Sequence, residues 1–458
     1  MNRIKYIEPF VMLATLLRWF FLASITGAIV GTGTSFFLKG LFFSSDKTAN
    51  IPLWAQMLLL PIGGILNGLL LHFGYRNTAP KDSTIAAVHQ QKGIMPYKTI
   101  AVKPIAAIIT LASGGSAGKE GPCSHIGGSL ASLLGQLFRL NPELQKRIVA
   151  CGVSAGFASV FGTPIAGAIY GVEVLTIGRL RHDFIFPAVI AGVSSYEVSK
   201  LWGISYTNYP FSISSHFSES LFIKIIVIGV LCGLVSWLFV ELFEQARFLF
   251  RHLQSKFHIW APLMPFLGGL ILSGFIIFIP TDYLGLSLPL MDQALSGEKM
   301  PYLGFLWKSL FVAITLGSGF YGGIVTPQFV IGAISGNVFA SMLGVDPALG
   351  AAAGMVAVVA SASNTPIAAI FMGIELFGSS TGIYIVGACI TAYIIIGHRS
   401  VYPDQLVVFK KSLWMHLEPG IELSKEKIHI SYSLLRKIKH WQRNQKHLNS
   451  QYKWPKKE

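Results

Sequence analysis

Charged residues are scarce in this chain. Only 12% of its 458 residues are Asp, Glu, Lys or Arg, whereas 52% are hydrophobic, and the mean hydropathy is +0.57. A soluble domain is roughly one quarter charged, so the sequence lacks the polar surface that would keep a soluble protein of this size dispersed. We therefore expect lipid to be the solvent for most of the chain.

Cysteine is scarce as well. Cys123, Cys151, Cys232 and Cys389 are scattered through apolar segments, and none belongs to a C-x-x-C pair. This pattern argues against a disulfide framework and against a zinc site, and we expect four small buried side chains. The sequence predicts no metal and no cofactor. A short signal with a small-residue cleavage site is also missing, which indicates a retained membrane segment at the N-terminus.

Apolar blocks separated by short glycine, proline or polar breaks fill the chain from about residue 8 to about residue 397. Some reach the ~20 residues that cross a ~30 Å bilayer core, and others are clearly shorter. Short, interrupted blocks predict helices that end partway through the membrane. The blocks are 8–43, 51–74, 99–112, 147–160, 164–178, 183–200, 221–247, 261–280, 304–317, 347–360 and 381–397.

Two pairs of motifs recur at nearly the same spacing. "SGGSAGKEGP" (113–122) and "SGFYGGIVTP" (318–327) share serine, glycines and proline 205 residues apart. "TPIAGAIYGVEVL" (163–175) matches "TPIAAIFMGIELF" (365–377) 202 residues apart, with Glu173 opposite Glu375. The pairs follow in the same order and predict a duplicated membrane domain. Glu120 of the first half is matched by Val325, so the duplication does not extend to this charge.

Each loop of the first motif pair leads from glycines through a proline into an apolar helical run. Glycine permits the tight turn, and proline suits the first turn of a helix. A helix N-terminus placed in this way inside a membrane offers unpaired N–H groups and the positive end of the helix dipole, which together bind anions. Two such ends, one from each half, predict an anion site near the midplane, held by partial charges that also permit release.

Glu120 lies in the first of these loops. An ionised carboxylate there competes with the anion, and a protonated one withdraws, so we expect a proton-dependent gate. Ionisable residues inside a membrane are costly and usually functional. The alternative is that Glu120 caps its own helix and pairs with Lys119.

These motifs, quoted as "GSAGKEGP", "GGIVTP", "GTPIAGAIYGVEVL" and "NTPIAAIFMGIELFG", resemble the CLC family of chloride channels and proton-coupled anion exchangers, especially its prokaryotic members. The resemblance implies an all-α membrane protein with an inverted repeat of tilted and partial transmembrane helices. It also implies a homodimer with one anion pathway per subunit. The implied divisions are a cytoplasmic N-terminal segment (1–14), two membrane repeats (15–210 and 211–405) and a basic cytoplasmic tail (406–458).

The resemblance also assigns site residues. Glu120 falls on the family's gating glutamate, and Tyr402, in "GHRSVYPDQ", falls on its inner-gate tyrosine. The anion-binding positions that it implies are Gly118, Lys119 and Gly121 in the first half and Gly323, Ile324 and Val325, through their backbone N–H groups, in the second.

Two departures from the family pattern leave the activity open. The usual serine loop is replaced by "RNTAPKDSTIAAVH" (76–89), where a hydroxyl of Thr78 or Ser83, Lys81, or a backbone N–H are alternative anion ligands. Chloride, nitrate and fluoride therefore stay open. The usual internal proton acceptor falls on Val174, which binds no proton.

The proton route has several alternatives. One alternative is that Glu173 accepts the proton, and another is that Thr326 organises a path of water. Without either, coupling is lost and the protein is a passive anion channel. Relatives that lack this acid resemble proton-coupled fluoride exporters, so its absence leaves both outcomes open. Glu173 is equally interpretable as a structural carboxylate that caps nearby backbone. His125 is more simply a hydrogen-bonded helix residue than a proton acceptor.

The net charge of +15 is concentrated at the C-terminus, where ten Lys and Arg follow position 424 against two Glu. Positive charge is retained on the cytoplasmic face of membranes, so we predict a multi-pass inner-membrane protein with both termini cytoplasmic and no nucleic-acid partner. Small anions such as chloride, protons and lipid are the expected partners. A secondary transporter of organic anions is the alternative, and an intramembrane enzyme using Ser113, Ser116 and His125 lacks a completing Asp or second His.

Overall fold

The computed structural model describes residues 4–48, 51–74, 83–207, 209, 217–412, 414–416, 418–425 and 429–430. The described residues are mainly α-helical. The helices of the first half are α1 (Ile4–Thr48), α2 (Leu53–Gly74), α3 (Thr84–Gln90), α4 (Thr99–Ala112), α5 (Glu120–Leu137), α6 (Pro142–Phe161), α7 (Pro164–Glu173) and α8 (His182–Leu201).

The second half repeats this series of long and short helices. They are α9 (Glu219–Phe257), α10 (Leu263–Phe275), α11 (Leu288–Leu295), α12 (Gly304–Ser318), α13 (Val325–Leu343), α14 (Pro347–Ala362), α15 (Pro366–Phe377) and α16 (Gly382–Ile395). Three 3₁₀ turns, Thr281–Tyr283, Ser379–Thr381 and Leu423–Lys425, complete the helical structure of the described residues.

The helices confirm the predicted mixture of complete and partial spans. Among the described residues, α2, α9 and the Ile7–Thr48 part of α1 are long and apolar enough to cross a membrane, whereas α4, α10, α12, α14 and α15 are apolar but shorter. The helix α1 runs without a break through residue 14, so the predicted boundary between 1–14 and 15–210 does not appear as a structural boundary. The boundary at 210/211 falls on residues outside the described ones.

The duplication extends beyond the two motif pairs. Gly63 of α2 and Gly268 of α10 are also 205 residues apart, and a Cβ at either would lie within 2.2 Å of the hydroxyl of Ser113 or Ser318. Only glycine therefore permits each helix to approach the loop of its own half so closely. The two halves also share one apolar core, in which the rings of Phe161 and Phe329 lie 4.8 Å apart.

The helices α5 and α13 begin two residues before the prolines that predict their starts. Pro122 and Pro327 lie in the first turn of each helix, where a missing N–H costs nothing because those groups have no partner within the helix. The predicted helix N-termini are therefore confirmed as elements of the fold.

The described part of the tail contains short strands. The strand β1 (Thr176–Ile177) pairs in parallel with β2 (Leu406–Val407), and β2 pairs antiparallel with β4 (Ile421–Glu422). A second pair joins β3 (Met415–His416) and β5 (His429–Ile430). Backbone groups after α7 supply a pairing edge for the tail that the tail sequence alone does not reveal. Residues 431–458 lie outside the described part.

Candidate functional site

The loops that precede α5 and α13 pair directly. The N–H of Gly118 donates to the carbonyl of Gly323, and the N–H of Gly323 donates to the carbonyl of Gly118, both at 2.8 Å. A Cβ at Gly121 would lie 2.8 Å from the Cα of Gly323, so glycine is required for this approach. The pairing brings the N-termini of α5 and α13 together, as the duplicated motif predicts.

Glu120 reaches from the start of α5 to the start of α13. The side chain is 1% exposed, and its Oε1 accepts a hydrogen bond from the Val325 backbone N–H at 2.5 Å. Its Oε2 accepts one from the Thr326 hydroxyl at 2.6 Å. A first-half carboxylate thus occupies the second-half helix end at which the sequence predicts an anion.

The alternative in which Glu120 caps its own helix beside Lys119 is wrong, because both oxygens bind the other half. Lys119 is the N-cap residue of α5 by its backbone, and its Nζ lies 5.1 Å from the centre of the Phe42 ring. Ile324 has the same position before α13 that Lys119 has before α5. A Cβ at Gly323 would lie 2.1 Å from the Oε1 of Glu120, so this glycine leaves the space that the carboxylate fills.

One cavity is lined by Glu120 and another by its partner Thr326. We name the first the Tyr402 vestibule; it has a volume of about 310 Å³ and is bordered by Glu120, Tyr402 and Asp404, among others. We name the second the Lys119 vestibule; it has a volume of about 230 Å³ and is bordered by Lys119 and Thr326, among others. Glu120 thus borders one vestibule and its hydrogen-bond partner Thr326 borders the other.

Tyr402 forms a hydrogen bond with a second tyrosine of the same vestibule. Its hydroxyl lies 2.8 Å from that of Tyr170, whose ring stacks on Phe157 with centroids 3.9 Å apart. Sequence reasoning missed Tyr170. Its signal is a single hydroxyl within the apolar run "GAIYGVE" of α7, since a buried tyrosine usually needs a hydrogen-bond partner.

Glu173 and Glu375 cap each other's helices. Glu173 accepts hydrogen bonds from the backbone N–H groups of Ile367 (3.1 Å) and Ala368 (2.8 Å) at the start of α15. Glu375 accepts the equivalent bonds from Ile165 (3.0 Å) and Ala166 (2.8 Å) at the start of α7. Both oxygens of Glu173 are therefore engaged, and the geometry fits the structural interpretation of this residue.

The replacement for the missing serine loop is partly visible. Ser83 is the N-cap residue of α3, accepts a hydrogen bond from the Ala86 N–H at 3.0 Å, and borders the Tyr402 vestibule. Thr78 and Lys81, the other side-chain candidates, lie outside the described residues. Val174, where the sequence lacks a proton acceptor, borders the same vestibule.

Two buried lysines were not selected from the sequence. Lys103 is 7% exposed and borders the Tyr402 vestibule, and Lys308 is fully buried. Lys308 Nζ, which has three N–H donors, lies 2.8–3.1 Å from four oxygens, namely the hydroxyls of Ser116 and Ser287 and the carbonyls of Tyr283 and Gly285. The signal for both was a lysine inside an apolar block. In the described part of the chain, no group of three His, Cys, Asp or Glu is placed to hold a metal ion.

Comparison with known proteins identifies the family. The family model described as "Voltage gated chloride channel" matches residues 63–397. A chloride/fluoride channel protein of Pseudomonas syringae pv. tomato is 34% identical over 419 residues, which cover 90% of this chain and 91% of the relative.

Solved structures give the same result. A crystal structure of a CLC-type fluoride/proton antiporter is 31% identical, with a TM-score of 0.79, and the match covers 86% of this chain and 98% of that one. A slow cyanobacterial Cl⁻/H⁺ antiporter, 21% identical with a TM-score of 0.70 over 83% of this chain and 94% of its own, shares the fold. The chain therefore belongs to the CLC family of voltage gated chloride channels and carries out CLC-type anion transport.

Proposed function

We propose that the protein exchanges a small halide, fluoride in preference to chloride, for protons, with Glu120 as the gate. The observation that carries the proposal is the Glu120 carboxylate at the N-terminus of α13, bound by Val325 and Thr326. The names of two relatives support it, since one is a chloride/fluoride channel protein and the other a fluoride/proton antiporter. The family consists of channels and transporters, and we propose no enzymatic activity.

The exchange follows from competition for one helix end. Ionised Glu120 occupies the N–H groups of α13 and excludes an anion. Once protonated, the carboxyl loses the charge that makes it a strong acceptor, leaves, and admits an anion to the backbone N–H groups of Ile324 and Val325. The N–H of Gly323, the third position implied by the family resemblance, is bound to the carbonyl of Gly118. The proton carried by Glu120 and the anion therefore alternate at this position, which links their movements.

The Thr326 hydroxyl supplies the preference for fluoride. A compact, strongly accepting anion gains more from a short O–H donor than a larger halide does, because its charge is concentrated. Gly118, Gly121 and Lys119 keep the first-half loop in contact with this position, and Tyr402 closes the other side of the vestibule that carries its name.

Assembly and location complete the proposal. We infer a homodimer in the plasma membrane, with lipid around its apolar helices and both termini in the cytoplasm. The concentration of basic residues after position 424 supports the cytoplasmic position of the C-terminus.

The test uses purified protein in liposomes, with anion efflux and external pH recorded together and a potassium ionophore added to remove the voltage. We expect fluoride or chloride efflux to drive protons in the opposite direction. Glu120→Gln should abolish proton movement while anions still move. Glu143→Gln, which changes an exposed carboxylate (66% exposed side chain), is the matched control and should behave as the unaltered protein.

Selectivity is tested at Thr326. Thr326→Val should lower the ratio of fluoride to chloride flux about tenfold, since a hydrogen bond to a charged group contributes about 1.5–3 kcal/mol, and Thr326→Ser should retain it. Anion efflux without any proton signal would instead identify a passive channel. Proton-coupled chloride flux with no fluoride preference would overturn the choice of anion.

A further inference from the structure

A lysine and a histidine form a buried pair beside the gate. Lys103 of α4 is 7% exposed and His125 of α5 is 4% exposed. The Nζ of Lys103 lies 3.3 Å from the Nδ1 of His125, and 5.4 Å from the centre of the Tyr321 ring. An ammonium donates and has no acceptor, so Nδ1 is the accepting nitrogen when Lys103 is charged. The pair is therefore a donor and an acceptor of a proton, already in hydrogen-bond contact.

The pair stands where two cavities adjoin. Lys103 and His125 border the Tyr402 vestibule together with Glu120. Lys103 also borders a third cavity of about 590 Å³, which we name the Arg251 cavity, together with Arg247 and Arg251. Lys103, Arg247 and Tyr321 line both cavities. Lys103 thus lines the Tyr402 vestibule, which Glu120 also lines, and the Arg251 cavity, which Glu120 does not line.

We propose that Lys103 and His125 form the proton relay that supplies Glu120 in place of the acid missing at Val174. The proposal deepens the proposed proton exchange and rests on it. Glu173 is less suited to the task, because both of its carboxylate oxygens accept backbone N–H bonds at α15. Val174 borders the Tyr402 vestibule with an aliphatic side chain, which carries no proton. A proton that enters the vestibule must therefore be supplied by another of its lining residues.

The relay balances one proton at each step. The Lys103 ammonium gives a proton to Nδ1 of His125, and the imidazole releases the proton of Nε2 to water in the Tyr402 vestibule. Water passes one proton to the carboxylate of Glu120, which becomes neutral and leaves α13. The neutral amine of Lys103 then takes a proton from water in the Arg251 cavity. Water in the Tyr402 vestibule takes the proton of Nδ1 once the ring has turned and returns one proton to Nε2, so the imidazole regains its first tautomer with no net proton gained or lost.

The remaining titratable and charged groups around the pair come from other elements. They are Tyr170 of α7, Arg247 of α9, Tyr321 of the second-half loop, and Tyr402 and Asp404 after α16 on the Tyr402 vestibule. On the Arg251 cavity they are His72 of α2 and Arg247 and Arg251 of α9. Arg247 is paired with Glu244 at 2.9 Å. Asp404 is the one further acid on the vestibule besides Glu120 among the described lining residues, so it is the alternative proton source that the experiment must exclude.

The experiment measures protons and anions moved by the same liposomes. His125→Gln keeps hydrogen-bonding capacity but cannot relay a proton, and Lys103→Arg keeps the positive charge but cannot release one. We expect each variant to lower the ratio of protons to anions at least fivefold while anion flux persists. His398→Gln, a buried histidine away from the vestibule, is the matched control and should keep the ratio of the unaltered protein. Asp404→Asn should keep it as well.

The outcomes separate the relay from the exchange itself. If the unaltered protein moves protons and both His125→Gln and Lys103→Arg retain its ratio, the relay is overturned and the exchange stands. If Asp404→Asn alone uncouples, Asp404 is the proton source and the relay is also overturned. If the unaltered protein moves anions without protons, the exchange and the relay fail together. Anion flux in each variant reports folding, so a loss of protons alone cannot arise from unfolded protein.

Discussion

The reciprocal glutamate caps give a test that separates a structural role from proton transport. The change is Glu173→Gln, with Glu375→Gln as the matched control from the other half. Each carboxylate accepts two backbone N–H bonds at a helix start, 2.8–3.1 Å long. A glutamine has one accepting oxygen, and its NH₂ group faces the second N–H donor to donor, so one bond is lost and the charge that favours the helix dipole disappears.

The expected cost follows from these losses. A hydrogen bond to a charged group contributes about 1.5–3 kcal/mol, and a buried N–H left without a partner costs about 1–3 kcal/mol. Since these terms overlap, we expect Glu173→Gln to lower the free energy of unfolding by roughly 2–4 kcal/mol. Glu173 is 6% exposed, whereas Glu375 is only partly buried. Water can satisfy the released N–H group more easily near Glu375, so Glu375→Gln should cost less.

The assay combines thermal inactivation in detergent with proton and anion flux in liposomes. Both variants should inactivate at a lower temperature, and both should keep the proton-to-anion ratio of the unaltered protein at a temperature where they are folded. Unfolding of such proteins is often irreversible, so half-lives at one temperature are compared. Loss of coupling in Glu173→Gln but not in Glu375→Gln would refute the structural interpretation and make Glu173 a proton carrier. Unchanged inactivation in both would refute the energetic argument.

Three further changes test other contacts. Gly323→Ala places a Cβ 2.1 Å from the Oε1 of Glu120, so the carboxylate must leave its position. The pH dependence of anion flux should then flatten, as in a protein without that carboxylate. An unchanged flux–pH curve would contradict the described position of Glu120. Lys308→Arg forces a larger planar group among the four oxygens around the buried Nζ and should lower the free energy of unfolding by about 1–3 kcal/mol. Thermal inactivation should therefore be faster than for Lys308→Met. Equal half-lives would show that this site has room for the guanidinium group. Burial, and to a lesser extent the charge of Lys411, lowers the pKa of His398 from 6.5 to about 4. Between these pH values the unfolded chain binds a proton that the folded protein does not, so the stability contributed by the neutral ring is complete above pH 6.5 and declines toward pH 4. Limited proteolysis of residues 406–412 should accelerate over that interval, and an equal acceleration in His398→Gln would exclude this histidine as the cause.

The functional site could be predicted in part because its signals are local. The glycines and proline around Glu120 specify a turn and a helix start within a few residues, and α5 indeed begins at Glu120. The second-half copy gives α13 by the same reasoning. The apolar blocks gave α4 with both ends correct and most other membrane helices to within a few residues, because the burial of an apolar run depends mainly on its composition.

The sequence by itself determined the class of solvent, the duplicated order of helices and the presence of one acid at one of two equivalent loops. The tertiary structure decided what each of these groups binds. Glu120 is bound by groups 205 and 206 positions away, and Glu173 caps a helix that begins about 194 positions later. It also placed Lys103 beside His125. Such partners are set by the packing of helices from both halves, and a pattern that repeats every few residues carries no information about which distant N–H group a buried carboxylate will reach.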